Sequence, residues 1–270
     1  MTDDQALNLP SLPLSAALGV LLDDAPSGLS DPKVALRQVA ACGLRWVQLP
    51  ATRPGLRPRD LDRSARRDLL ATLRRNGLSL SGLDLWIPVD HFTDSLYVDR
   101  AVAAVAGAIE LAGDLGRVPV SLALPGDEDD DTGDAVALDA DAVEQMRATG
   151  EAYGVRLAVY RADTSAPSGL SVGFDPAVCY WHGDDPLEAL GRIESDRLAG
   201  VRLTDVDGQG LRVCPGSGRL DLCAFQGVLL TIGYSKPVVL DLKQVNGPWQ
   251  CLQRALAQWK QSGLSGASFL

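Results

Sequence analysis

The chain contains two histidines, His91 and His182, and histidine is the side chain most often used for general acid–base catalysis near neutral pH. Each follows a segment predicted to be a strand, so each is expected on a loop where a strand ends. His182 is the stronger catalytic candidate, because Tyr180 and Trp181 directly precede it. An ordinary loop histidine is the alternative for both, and the residue types alone favour it.

A glycine-rich segment at residues 215–219 (PGSGR) precedes a predicted helix. Its backbone N–H groups and the Arg219 side chain could hold an anion such as a sugar phosphate. A tight turn with Asp221 as the N-cap of the following helix accounts for the same residues. The turn is the simpler interpretation, and we prefer it.

Two charged stretches have the composition of binding sites but not their spacing. The acidic segment 126–134 does not match a calcium-binding loop, because Thr132 stands at the glycine position and no glutamate closes the loop. The arginines between positions 57 and 75 are interspersed with aspartates, which is typical of the solvated side of a helix or of a subunit contact. With a net charge of −10, the chain is not expected to bind nucleic acid.

The five cysteines are odd in number, dispersed and without a CxxC pair. This usage predicts reduced thiols in a cytoplasmic protein rather than a disulfide framework or a zinc knuckle. Residues 1–10 lack the features of a secretory signal, and no apolar stretch reaches the roughly 20 residues that span a bilayer. We therefore expect a cytoplasmic protein without a membrane partner.

Apolar runs alternate with helical patterns along most of the chain, which predicts parallel strands joined by crossover helices. The runs of strand length are 16–22, 45–50, 78–85, 118–124, 155–160, 170–174, 199–204 and 237–242. The helical patterns cover 31–41, 60–76, 96–115, 139–153, 186–193, 221–232 and 248–261.

Eight such units of about 30 residues predict an α/β fold, a single-domain (β/α)8 TIM barrel over residues 13–270, after a flexible tail at residues 1–12. Residues 161–169 leave little room between the fifth and sixth strands, so the crossover helix there is expected to be short or missing. A doubly wound open sheet is the competing architecture. It is disfavoured because no glycine-rich dinucleotide fingerprint follows the first strand.

Several short motifs occur in an order that resembles the xylose isomerase-like TIM-barrel superfamily, which includes sugar and sugar-phosphate isomerases and epimerases and the endonuclease IV type of repair nuclease. The motifs are GLRWVQL at 43–49, NGL at 76–78, GFDP at 173–176, GDDP at 183–186, VRLTD at 201–205, GSGRLD at 216–221, GY at 233–234 and VLD at 239–241. Their order is more specific than any one motif.

In that superfamily the metal centre usually takes carboxylates from strands five, six and eight and a histidine from strand seven. The resemblance maps these positions onto Tyr160, Asp175, Arg202 and Asp241. The alternation of side chains along a strand supports an inward direction for each. Arginine cannot ligate a metal because it has no free lone pair. No cofactor is therefore expected, with a divalent cation such as Mn²⁺ or Mg²⁺ as the alternative.

Two buried aspartates without a cation would be unstable. We predict that Arg202 pairs with Asp175, Asp241 or both at the C-terminal mouth of the barrel, in the place of the metal. A register error of one residue would instead turn Arg202 toward the helices.

The resemblance implies a sugar, polyol or sugar-phosphate isomerase or epimerase, active as a monomer or homodimer. The alternative is a non-catalytic barrel that keeps its pocket for a small molecule or for an assembly. A repair nuclease is disfavoured, because that chemistry uses several metals and many histidines. The catalytic candidates are Asp175, Asp241, Arg202, Tyr160 and His182. The candidates for substrate binding are Gln48, Trp86, His91, Trp181, Arg219 and Lys243.

Overall fold

Eight parallel strands form a closed barrel within the residues that the computed structural model describes, which are 12–24, 31–126, 138–161 and 163–265. The strands are β1 Leu14–Ala17, β2 Trp46–Pro50, β3 Ser79–Asp84, β4 Val120–Ala123, β5 Leu157–Tyr160, β6 Ser171–Phe174, β7 Leu198–Leu203 and β10 Val238–Leu240. An antiparallel hairpin of β8 Asp205–Val206 and β9 Arg212–Val213 follows β7. The barrel closes because β1 pairs with both β2 and β10, which confirms the predicted (β/α)8 fold.

Helices surround the barrel and follow most of its strands. They are α1 Leu18–Asp23, α2 Pro32–Ala41, α3 Arg63–Arg75, α4 Val98–Asp114, α5 Ala140–Tyr153, α6 Pro176–Trp181, α7 Pro186–Gly191, α8 Leu222–Thr231 and α9 Pro248–Ser265, with 3-10 turns at Pro58–Asp60 and Val89–Phe92. Aspartate side chains cap the N-termini of α2, α3, α5, α6, α7 and α8, so part of the acidic surplus serves to begin helices. None of the described helices has the length and apolar character needed to cross a bilayer.

The prediction was wrong in detail at the first apolar run. Residues 16–22 were predicted as one strand, but the strand is Leu14–Ala17 and helix α1 follows it directly. Leu18, Leu21 and Leu22 are all buried, at a spacing that fits a helix as well as a strand interior. Helix α6 was not predicted; Asp175 caps it and Pro176 occupies its first position.

The connection between β5 and β6 is short, as predicted, and its described residues contain no helix. Of the acidic segment 126–134, only Gly126 is among the described residues. Of the predicted tail at residues 1–12, only Leu12 is among them. The domain boundaries at residues 12 and 13 therefore stay a prediction.

The expectation that every cysteine is reduced was wrong. Cys214, which follows β9, and Cys251, in the first turn of α9, form a disulfide. They lie 37 residues apart in sequence, so no local spacing indicates the pair. The free cysteines among the described residues are Cys42, Cys179 and Cys223.

Candidate functional site

The C-terminal mouth of the barrel contains an arginine surrounded by three carboxylates. Arg202 of β7 donates from Nη2 to Oδ1 of Asp84, at the end of β3, over 3.1 Å. Its Nε lies 3.5 Å from Oδ2 of Asp241, and its Nη1 lies 3.8 Å from Oδ2 of Asp175. The Arg202 side chain is only 13% exposed, so water screens these contacts weakly. The predicted contacts of Arg202 with Asp175 and Asp241 are both present.

Two further cations complete the cluster. Arg212 of β9 donates from Nη2 to Oδ2 of Asp175 over 2.9 Å, and Lys243 donates from Nζ to Oδ2 of Asp84 over 3.0 Å. Three cations thus face three carboxylates, and the formal charges cancel. We call these six residues (Asp84, Asp175, Arg202, Arg212, Asp241 and Lys243) the mouth cluster. Because the cluster is neutral without a metal ion, its carboxylates need no further cation.

The two innermost carboxylates are also held by hydrogen bonds. The Thr204 hydroxyl donates to Oδ1 of Asp175, which also accepts from the backbone N–H of Ala177 over 3.0 Å. Oδ1 of Asp241 accepts from the backbone N–H of Lys243 over 3.1 Å. Both aspartates are buried, so these bonds fix their orientation.

The electrostatic environment favours the ionised forms of Asp241 and Arg202. Burial by itself would raise the pKa of Asp241, but the attraction of its three cationic neighbours outweighs burial and holds that pKa below its ordinary value. Burial would likewise lower the pKa of Arg202, and the surrounding negative charges raise it instead. A carboxylate held in its ionised form by neighbouring cations is a weak general base.

Tyr160, at the end of β5, is buried beside Arg202 of the cluster. The guanidinium carbon of Arg202 is 4.0 Å from the centre of the Tyr160 ring, a cation–π contact. Glycines on the two next strands leave room for the ring: a Cβ on Gly173 would lie 2.6 Å from a ring carbon, and one on Gly200 would lie 2.8 Å from the hydroxyl oxygen. Burial raises the pKa of Tyr160 to about 12, so the phenol stays protonated.

The lowered pKa of Asp241 predicts a loss of stability in acid. The ionised carboxylate stabilises the folded state above its unfolded-state pKa of about 3.9, and this contribution is lost as the pH falls through the lower folded-state pKa. Urea unfolding from pH 7 to pH 2 should show the difference between wild type and Asp241→Asn shrinking toward low pH. Asp99→Asn, at an exposed position of α4, is the control and should differ little from wild type at any pH. A difference that stays constant from pH 7 to pH 2 would contradict the assignment.

The mouth cluster does not suit the divalent metal that the resemblance implies. Within the described part of the chain, no three His, Cys, Asp or Glu side chains are arranged to hold a metal ion. The Arg202 guanidinium lies among the carboxylates that would be ligands, and it cannot be one. The resemblance maps the phenol of Tyr160 onto a carboxylate position of the superfamily, and too few donors converge on one point among the described residues.

The remaining predicted residues lie in several places. Lys243 belongs to the mouth cluster, and Trp181 lies at its rim, where its ring is 5.1 Å from the Arg212 guanidinium carbon. Gln48 is inside the barrel, where it donates to the Ser121 hydroxyl over 3.0 Å. His182 directly follows α6 and is exposed.

The backbone N–H groups of the glycine-rich turn at 215–219 bind the side-chain carboxylate of Asp205. The backbone N–H groups of Gly216 and Gly218 donate to Oδ2 of Asp205 over 3.0 and 2.9 Å, and the N–H of Leu220 donates to Oδ1 over 2.9 Å. Asp221 caps α8, which is the arrangement that we preferred from the sequence. The Arg219 side chain stacks on the Tyr180 ring at 4.4 Å. These N–H groups are therefore occupied by a carboxylate of the protein itself.

Two members of the mouth cluster, Asp84 and Arg212, were missed by the sequence analysis. Asp84 is the last residue of β3 and therefore lies at the C-terminal face of the barrel. In this fold, a charged residue at that face indicates a functional role. Arg212 gave no comparable signal, because the hairpin that carries it was not predicted. Trp86 and His91 line a cavity on the outer side of the barrel that contains no member of the mouth cluster.

The fold and site define a (β/α)8 barrel with a charged, convergent cluster at its C-terminal mouth. Residues 36–159 match the family model of the xylose isomerase-like TIM barrel. This match agrees with the resemblance that the sequence motifs predicted. A search of curated proteins found no match to this sequence.

Solved structures agree on the fold at low sequence identity. A xylose isomerase domain protein from Alicyclobacillus acidocaldarius is 17% identical with a TM-score of 0.70, covering 95% of this chain and 99% of its own. The IolI protein, solved with a bound zinc atom, is 17% identical with a TM-score of 0.71, covering 95% and 98%. The 3-keto-D-glucoside 4-epimerase YcjR from E. coli is 13% identical with a TM-score of 0.68, covering 93% and 99%. At sequence identities this low, the TM-scores establish similarity of fold alone.

Proposed function

We propose that this chain is a homologue of the sugar isomerases and epimerases in which the mouth cluster replaces the divalent metal. In this proposal it binds a sugar or polyol at the barrel mouth without metal-dependent turnover. The observation that carries the proposal is the position of Arg202, whose three nitrogens each lie within 3.8 Å of a different carboxylate. A substrate oxygen would have to compete with these carboxylates for the guanidinium.

The rim of the mouth cluster provides the groups that a polyol needs. Lys243 is 35% exposed and Trp181 is 47% exposed, so an ammonium donor and an aromatic face are open to solvent. Sugar C–H groups pack on aromatic faces, and sugar hydroxyls hydrogen-bond with charged side chains. These two residues, with Asp84 behind Lys243, are the proposed ligand contacts.

A metal-independent isomerase or epimerase is the second candidate. Asp84 and Lys243 form the most accessible carboxylate–ammonium pair of the cluster, and such a pair can exchange a proton with a substrate at its rim. In that case Asp84, rather than the buried Asp175 or Asp241, would be the base.

A panel of ketoses, inososes and their phosphates, each with and without Mn²⁺, tests both candidates. We expect at least one panel member to raise the melting temperature equally in Mn²⁺ and in EDTA, without solvent deuterium entering at carbon. Trp181→Ala should abolish that shift, whereas Tyr153→Ala, an exposed aromatic on α5, should retain it. Deuterium incorporation without metal would select the second candidate. Mn²⁺-dependent incorporation, or no stabilisation by any panel member, would overturn the proposal.

A further inference from the structure

A cavity of about 760 Å³ lies on the outer side of the barrel, between α4 and the segments that follow β2 and β3. Its volume is in the range of small-molecule sites, about 300–1,000 Å³. The mouth cluster is not among its lining residues, so it is a separate feature of the C-terminal side. Three aromatic and four arginine side chains contribute to its lining: Trp86, His91, Tyr97, Arg57, Arg59, Arg66 and Arg100.

The walls of the cavity favour an apolar or aromatic body over a hydroxylated one. Trp86 is 60% exposed, although large aromatic side chains are usually buried, and the rings of His91 and Tyr97 stack at 4.6 Å. Glu110 is the lining carboxylate, and it already accepts from Arg66 over 3.1 Å. Sugar hydroxyls would therefore find few free acceptors, whereas a ring could stack on Trp86.

The cavity lining contains four arginines and one carboxylate, and three of these arginines lie against acids: Arg66 pairs with both Glu110 and Asp114, and Arg57 and Arg59 share Asp60. Asp60 accepts from Arg57 over 2.8 Å, and Arg59 lies 4.0 Å from the other oxygen of the same carboxylate. Arg100 is exposed and has no ion pair among the described residues. Four arginines beside an aromatic wall, one of them exposed and without an ion pair among the described residues, favour an anionic ligand even in a chain of net charge −10. They also disfavour a symmetric dimer through this face, because it would bring like charges together.

We propose that this cavity binds a small anion that carries an aromatic ring. The ring stacks on Trp86, and the anionic group is held by Arg59 and Arg100. The proposal is independent of the function of the mouth cluster, because the two share no residue.

Adenosine 5′-monophosphate, p-nitrophenyl phosphate and 1-anilinonaphthalene-8-sulfonate are suitable aromatic anions for a test by calorimetry and fluorescence. We expect at least one to bind the wild type with a dissociation constant below 1 mM, on the order expected of a small ligand. For a bound phosphate ester, the matching nucleoside or phenol and inorganic phosphate alone should each bind at least about tenfold more weakly. Glucose 6-phosphate should bind as weakly as inorganic phosphate, because the walls lack acceptors for its hydroxyls.

Substitutions in the cavity wall test whether the aromatic anion binds in this cavity. Trp86→Ala and Arg100→Glu should each weaken it by about tenfold or more, whereas Arg254→Glu, the same charge change at an exposed position of α9, should leave it unchanged. The Ala104→Leu variant, which places bulk on the α4 wall, should weaken it as well. Failure of all three anions to bind would overturn the proposal. So would equal losses in Arg100→Glu and Arg254→Glu, or tighter binding of glucose 6-phosphate than of the aromatic anions.

Discussion

Arg202→Met is expected to lower the free energy of unfolding by about 3–5 kcal/mol, because it leaves buried carboxylates without their shared cation. Arg202 contacts Asp84, Asp175 and Asp241, and the last two are almost fully buried. The same variant should gain stability from Mn²⁺ that wild type does not, since removal of the guanidinium leaves oxygen ligands facing an empty centre. Urea unfolding at pH 7, in EDTA and in 1 mM Mn²⁺, a concentration on the order of weak carboxylate sites, measures both effects.

Two controls separate charge from packing in this experiment. Arg254→Met, on the exposed side of α9, should change stability by no more than about 0.5 kcal/mol. The double variant Arg202→Met with Asp241→Asn should lose less stability than the sum of its single changes, because it removes a charge of each sign. Additive losses would show that Arg202 stabilises the barrel through packing alone.

Replacing both Cys214 and Cys251 with serine is expected to cost about 2–4 kcal/mol, the usual effect of a disulfide that closes a loop of this length. The disulfide joins the hairpin to α9, and Arg212 lies two residues before Cys214. Its loss should therefore also loosen the contact between Arg212 and Asp175. Equilibrium unfolding of the double variant measures the cost. Cys223→Ser, at a free and half-buried cysteine, is the matched control.

Thiol counting checks the disulfide directly. The unfolded, unreduced protein should show three reactive thiols, those of Cys42, Cys179 and Cys223, and reduction should add two. Five reactive thiols before reduction would restore the expectation from the sequence that all cysteines are reduced. The cytoplasmic location predicted from cysteine usage stays a prediction.

The barrel could be predicted from the sequence because its signals are local and repeated. Strand-length apolar runs, aspartate N-caps and glycines that follow helices mark most units without knowledge of the rest. The first run, 16–22, was misassigned because Leu18, Leu21 and Leu22 are buried in a helix whose apolar spacing does not differ from that of a buried strand.

The centre of the site was partly predictable for a related reason. Arg202 lies on a strand, and Asp175 and Asp241 directly follow strands, whose order and direction follow from the fold, so their convergence could be inferred. Arg212 and the disulfide could not, since both depend on how a short hairpin folds over the barrel mouth. Asp84 could have been found by applying the same rule, a charged residue at the end of a barrel strand, to β3.

The central claim is that Arg202 occupies the place of a metal ion, and crystallography at the manganese absorption edge tests it most directly. Crystals grown with Mn²⁺ should show the Arg202 guanidinium among Asp84, Asp175 and Asp241, with no anomalous peak between these carboxylates. An anomalous peak ligated by Asp175 and Asp241, with Arg202 turned away, would contradict the claim and restore a metal-dependent isomerase as the leading function.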